Sequence, residues 1–261
     1  MSCSKATMVA VAVGVLFVIS GCSGSGENTP AGAPSAPSET LSSVGSESDL
    51  PSVDGEIVRG EAHADYDVAA SVVGAAEPAT VVVIGRVKSW AEGRIIHDGD
   101  SALKSAVLEV EVETSLVPRT VESAFVEIDR GGTLIDEEGN EVELHDGATY
   151  VQRSVEELRQ AVPVGTRVVV LGVAAPTDEE IASTGGQQVI EAWVPPHGDD
   201  QLVSPVQQGL LFEDADGSYV SGVADQEDVE FGDWPAAGER GDAGGSDGYF
   251  DQLVDELTAA F

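Results

Sequence analysis

The stretch AVLEVEVE at 106–113 decides the fold class. Successive side chains of a strand point to opposite faces, so Leu108, Val110 and Val112 turn inward while Glu109, Glu111 and Glu113 meet solvent. Outward from it the chain repeats the message. TVVVIGRV at 80–87 reads as a first buried strand, and 123–129 and 139–144 read as strands around the turn Asp136-Glu137-Glu138-Gly139-Asn140. TRVVVLGV at 166–173 is apolar enough for a central strand, with QQVIEAWV at 187–194 expected beside it. GLLFEDADGSYV at 209–220 reads as two short strands joined through Asp214-Ala215-Asp216-Gly217.

Composition agrees. The body, roughly 58–235, holds 30 valines against 10 leucines, and β-branched side chains lose less freedom on a pleated surface than in a helix. One short helix interrupts the strands: Ser154 followed by Glu157 fits a capping box, and Pro163 stops the helix soon afterwards. The expected fold is all-β or mainly β, a small closed or half-closed barrel that buries its strands without a long exposed edge. An OB-like topology is one of the options. The pattern adds the short connecting helix and, at 249–261, a C-terminal amphipathic helix.

That last segment, YFDQLVDELTAAF, places Phe250, Leu253, Val254, Leu257 and Phe261 at three- and four-residue spacing opposite Asp251, Asp255 and Glu256. Alone it is marginal, so it needs a surface. Packing back onto the body or fraying as a tail is the expectation, with a partner protein as the alternative; an acidic polar face argues against a membrane. A Gly-rich linker, 236–248, precedes it.

The N-terminus carries an address. Lys5 is followed by an apolar run from Ala6 to Ile19, about fourteen residues, which is short of the roughly 20 of a permanent span and of the right length for a signal peptide, 1–21. Ile19-Ser20-Gly21-Cys22 resembles the lipobox of bacterial lipoproteins, in which small residues precede a cysteine that takes diacylglycerol and becomes the mature N-terminus. The resemblance implies lipidation at Cys22, palmitate-type acyl chains, and residence on the extracytoplasmic face of the cell membrane. Cys3 would leave with the signal, so no disulfide or thiol nucleophile remains. Residues 22–57, rich in Ser, Gly and Pro with six acids and no aromatic residue up to 57, read as a lipidated N-terminus and disordered linker.

The body itself resembles small secreted β-barrel lipoproteins of high-GC Gram-positive bacteria, a group without an assigned activity. The stretches that carry this are 81–87, 108–112, 165–172 and 208–217. The resemblance implies fold and location, and transfers no functional residue.

Charge excludes partners. Of 261 residues, 47 are acidic and 12 basic, a formal −35. A polyanion without a Lys/Arg cluster repels nucleic acid and anionic lipid headgroups alike, so the membrane is reached through lipid on Cys22 and not through the surface. The body alone carries 35 acids and 10 bases, so the acidity is general. Such a surface suits export or a salty exterior.

Candidate chemistry is thin. His97-Asp98-Gly99-Asp100 and His145-Asp146 would form a metal site only if the two loops converge, since zinc wants three or four ligands. Asp214, Asp216 and Ser218 alternate like the start of a calcium loop, but the twelfth position is Asp225 and strands flank the loop where an EF-hand has helices. The four histidines, His63, His97, His145 and His197, and the absence of Gly-x-Ser-x-Gly give no hydrolytic triad. Gly131-Gly132 and Gly185-Gly186 lack the setting of a phosphate loop and are read as turns. Trp90, Trp193 and Trp234 would make a sugar- or peptide-binding groove only by clustering.

No catalytic, cofactor or metal residue is therefore assigned. The leading expectation is a lipid-anchored extracytoplasmic binding or structural module, taking an envelope protein or a small ligand. The alternatives are an envelope-associated hydrolase working through acidic residues and a divalent-cation-binding surface protein.

Overall fold

The computed structural model describes residues 52–59, 67–117, 121–136, 139–142, 152–198, 200–229, 234 and 248–261. The signal and lipidation readings, Cys22 included, lie outside these residues, as do His63, His145 and Asp146. The chain divides into Met1–Val44 and Gly45–Phe261; the second is a compact unit and contains everything described below.

Eight strands, β1 (Val81–Asp98), β2 (Ser101–Ser115), β3 (Ser123–Ile135), β4 (Glu141–Val142), β5 (Arg167–Ala174), β6 (Gln187–Glu191), β7 (Leu202–Glu213) and β8 (Tyr219–Ser221), form one sheet. Around the barrel the order is β3-β2-β1-β5-β7, and a parallel pairing of β3 with β7 closes it. The seam is short: Phe125 pairs with Leu202 and Val126 with Val203. Five strands closed in this way, with a helix between the third and fourth barrel strands, give the OB-like barrel. That helix is α3 (Val155–Ala161), and both hydrogen bonds of its capping box are made: Glu157 N donates to Ser154 Oγ (3.1 Å), and Ser154 N donates to Glu157 Oε2 (2.7 Å).

Alternation along β2 sorts the residues as its sequence requires. Ala106, Leu108 and Val110 join the interior core with Val83, Val126, Val168, Val170 and Phe212, while Glu111 is exposed. Each fully buried side chain of this size contributes about 1.5–3 kcal/mol. One end of the barrel is plugged. Leu158 and Val162 of the α3 region and Val58 of α1 (Gly55–Arg59) complete the interior core there, and Trp90 Nε1 donates to Val162 O at 3.0 Å. Arg153, almost wholly buried, holds α1 in place: its guanidinium donates to Ile57 O, Val58 O and Asp129 O. Packing thus already begins at Val53, inside the stretch 22–57 that composition marks as linker.

A second core lies on the outside of β1, β5 and β7. Val82, Ile84, Val169, Leu171 and Leu211 pack under Val72 of α2 (Val72–Ala76), under Trp234, and under Phe250, Leu253 and Leu257 of α6 (Tyr249–Ala260). The C-terminal amphipathic helix is docked on the barrel by the stripe its spacing defines; Phe261 alone of that stripe is largely exposed. Arg167 fastens it, stacking 4.9 Å over Phe250 and donating to Asp251 Oδ1 at 2.8 Å.

Several expectations are corrected in detail. The first strand runs on to Asp98 because its second half leaves the barrel and pairs with β2 on one side and β6 on the other. Trp90, which follows the stretch 80–87 read as the first strand, therefore lies within β1. β6 is not a neighbour of β5: it pairs with Ile95–Asp98, since β7 already occupies the free edge of β5. The helices number more than one connector and one tail. Besides α1 and α2, Thr177 and Glu180 form a second complete capping box at α4 (Asp178–Ser183), and α5 (Gln226–Val229) follows β8.

Candidate functional site

At the end opposite α3 the barrel is not plugged. The starts of β1, β3 and β7 meet the ends of β2 and β5 around a cavity of about 430 Å³, and no described helix contributes to its lining. Its deep wall is apolar, made by Val81, Val83, Val121, Ala124 and Val203, all of which belong to or pack against the interior core. The seam forms one side, with Phe125 and Leu202 both in the lining. Mouths of β-barrels are common ligand sites, and this volume falls in the range of about 300–1,000 Å³ such sites span.

The rim is polar and acidic. Glu122 is exposed at the start of β3, and Asp200 and His197 come from the segment leading into β7, where Asp200 Oδ2 accepts from His197 N at 2.9 Å. That hydrogen bond fixes a short turn, so Asp200 and His197 are presented together. The same segment wraps the outside of β2 and β3, where Trp193 lies against Phe125 with ring centroids 5.2 Å apart.

A second cavity, about 590 Å³, lies beside α1 at the plugged end; Val53 and Arg59 in its lining are engaged in holding the chain, while the buried Tyr249 hydroxyl has no hydrogen-bond partner among the described residues. Asp214 Oδ1 accepts from Val53 N (2.9 Å), and Arg59 Nη1 donates to Ser221 O (2.9 Å). These bonds fasten α1 to the β7–β8 hairpin.

The sequence candidates are dispersed. His97 lies near the tip of the β1–β2 hairpin, paired opposite Ala102 and Gln188, and Asp98 Oδ2 accepts from Gln187 Nε2. Among the described residues no three His, Cys, Asp or Glu side chains are grouped to hold a metal ion. In the Asp214 to Ser218 turn, Asp216 Oδ1 caps Ser218 N (2.9 Å) while Asp214 caps Val53 N, and Gly217 takes φ +80, so the alternate acids serve turn and strap. The three tryptophans do not cluster. Trp90 is inside the barrel, Trp193 outside β3, and Trp234 in the helical layer, where its Nε1 donates to Ala69 O at 2.8 Å.

Electrostatics elsewhere are structural. Arg94 is buried and clasps Glu127 through two hydrogen bonds while donating to Pro176 O (2.6 Å) and Asp178 Oδ1 (3.2 Å), which pins α4 to the strands. Burial pushes the Glu213 carboxyl above its ordinary range despite the nearby Arg167, which it shares with Asp251. Glu213 lines neither cavity. Glu109, on the outer face of β2, is lowered: burial works against this, but hydrogen bonds from Lys88 and Ser89 prevail.

No protein-family model matches the chain, and neither the curated proteins nor the solved structures contain a match. No single motif in the sequence announces the mouth, because it is assembled from five strand ends. The available signal is the valine run that opens β1, Val81 to Val83, with Thr80 just outside it.

Proposed function

We propose that this chain is a lipid-anchored, extracytoplasmic binding module whose barrel mouth takes a small, predominantly apolar ligand. The observation that carries the reading is the asymmetry of the barrel: one end is filled by helix side chains, while the other leaves an apolar cavity continuous with the core. Apolar surface left uncovered in this way gains about 25 cal/mol per Å² when a ligand removes it from water. Anchoring through Cys22 would hold the module at the membrane despite its charge, since each acyl CH₂ buried contributes about 0.8 kcal/mol.

Two measurements test this. The unit 45–261 should bind the neutral dye N-phenyl-1-naphthylamine saturably, with a blue-shifted emission, and Val121→Trp should abolish that signal without lowering the melting temperature. Unsaturable dye binding, or binding indifferent to Val121→Trp, would remove the mouth as the site. In cells, labelled palmitate should enter the wild-type chain and not Cys22→Ala, which should shift from the membrane to the soluble fraction. Equal partitioning of both would sink the anchor.

A further inference from the structure

We infer that the mouth selects amphiphiles with a cationic head, an alkyl amine being the simplest, over anionic amphiphiles with the same apolar body. The inference rests on the mouth being a ligand site, and it comes from the contrast between the wall and the rim. The wall is made of valines and an alanine and can offer an apolar tail only contact area. Orientation must come from the rim, where the ionisable groups among the described lining residues are Glu122, Asp200 and His197, with no Lys or Arg.

A tail inserted into the barrel leaves its head at this rim. A carboxylate or phosphate head would stand beside Glu122 and Asp200, in the field of a chain of formal −35, with no guanidinium or ammonium among the described lining residues to receive it. An ammonium head meets two carboxylates. The hydroxyl and amide groups of Thr80, Ser115 and Gln201 can add hydrogen bonds to either kind of head, so they do not discriminate. Glu122 is exposed and Asp200 half-buried, so salt screens their attraction and the preference is read at low ionic strength. The same field raises the local concentration of cations at the opening and so favours their entry.

The test is competition for N-phenyl-1-naphthylamine bound to the unit 45–261, at low ionic strength, by octylamine, octan-1-ol and octanoate. These share one tail and differ only in the head. Octylamine should displace the dye at a concentration roughly tenfold or more below octanoate, with octan-1-ol between them, the spread expected from one or two ion pairs gained or opposed. In Glu122→Gln/Asp200→Asn the three should converge; Asn at position 200 keeps an acceptor for His197 N, so the turn is retained, and melting curves check this. Octanoate matching octylamine, or a spread that survives the double substitution, would overturn the inference while leaving the mouth as a site. A dye that is not held at the mouth at all would overturn both.

Discussion

The two ends of the barrel are built from the same strands and finished in opposite ways. At one end Leu158, Val162 and Val58 fill the interior and Trp90 is tied to Val162 O, so the sheet closes over a helix plug. At the other, Val81, Val121 and Val203 surround space. A barrel of five strands needs something in its interior, and a helix supplies it at one end only. The difference teaches that stability and recognition are separated along the barrel axis, so each can be altered with small effect on the other.

Substitutions can break or sharpen that separation. The largest loss should come from Leu158→Ala, which leaves a cavity under a fully buried position; about 2–5 kcal/mol is expected, read from the shift in denaturant midpoint, with dye binding at the mouth retained in the folded fraction. Trp90→Phe keeps most of the volume but strands Val162 O without its donor, and about 1–3 kcal/mol should be lost in the same measurement. Ser154→Ala removes the cap of α3 at a cost of about 1 kcal/mol. The smallest effect should be that of Val121→Ala at the mouth, below about 1 kcal/mol in stability, yet with weakened dye binding. If Val121→Ala destabilised as much as Leu158→Ala, the two ends would not be separable.

Acid titration sharpens the plugged end further. Glu157 is lowered by the backbone and side-chain hydrogen bonds of Ser154, so its stabilising contribution is present above its unfolded value and lost as the pH falls through the folded one. Glu213 is raised by burial and behaves inversely: its folded form keeps a proton that the unfolded chain has released, so its cost is relieved as the pH falls through its folded value. Ser154→Ala should therefore flatten the acid loss of stability. Glu213→Gln should remove the opposing component and steepen it. Stability curves between pH 3 and 7 for the two variants that coincide with wild type would contradict the assignment of both groups.

The sequence discloses the strands that are buried on one face and hides those that leave the barrel. The regular alternation of 106–113 maps directly onto β2. The second half of β1 is obscured because the register shift at Glu92/Ile95 interrupts its two-residue period, and because a strand outside the barrel has no consistently buried face. Strand neighbours are a further matter: the apolar pattern of 187–194 marks a strand, but nothing in it names β1 as its partner. The capping box at Ser154 was legible, and the equivalent pair Thr177 and Glu180 carried the same signal at α4. The mouth was not legible, since residues as distant as Val81, Ser115, Ala124, Ala174 and Val203 meet only when the barrel closes.

The seam between β3 and β7 has a kinetic consequence. It joins residues 77 positions apart through only two paired positions on each strand, so its closure carries a large loop-entropy cost that the intervening strands must reduce first. Phe125, Leu202 and Val203 belong both to that seam and to the cavity wall. A chain with an unfastened seam has no mouth. Any occupant of the mouth therefore binds only the fastened form, and by mass action it slows the opening of the barrel as it fills it.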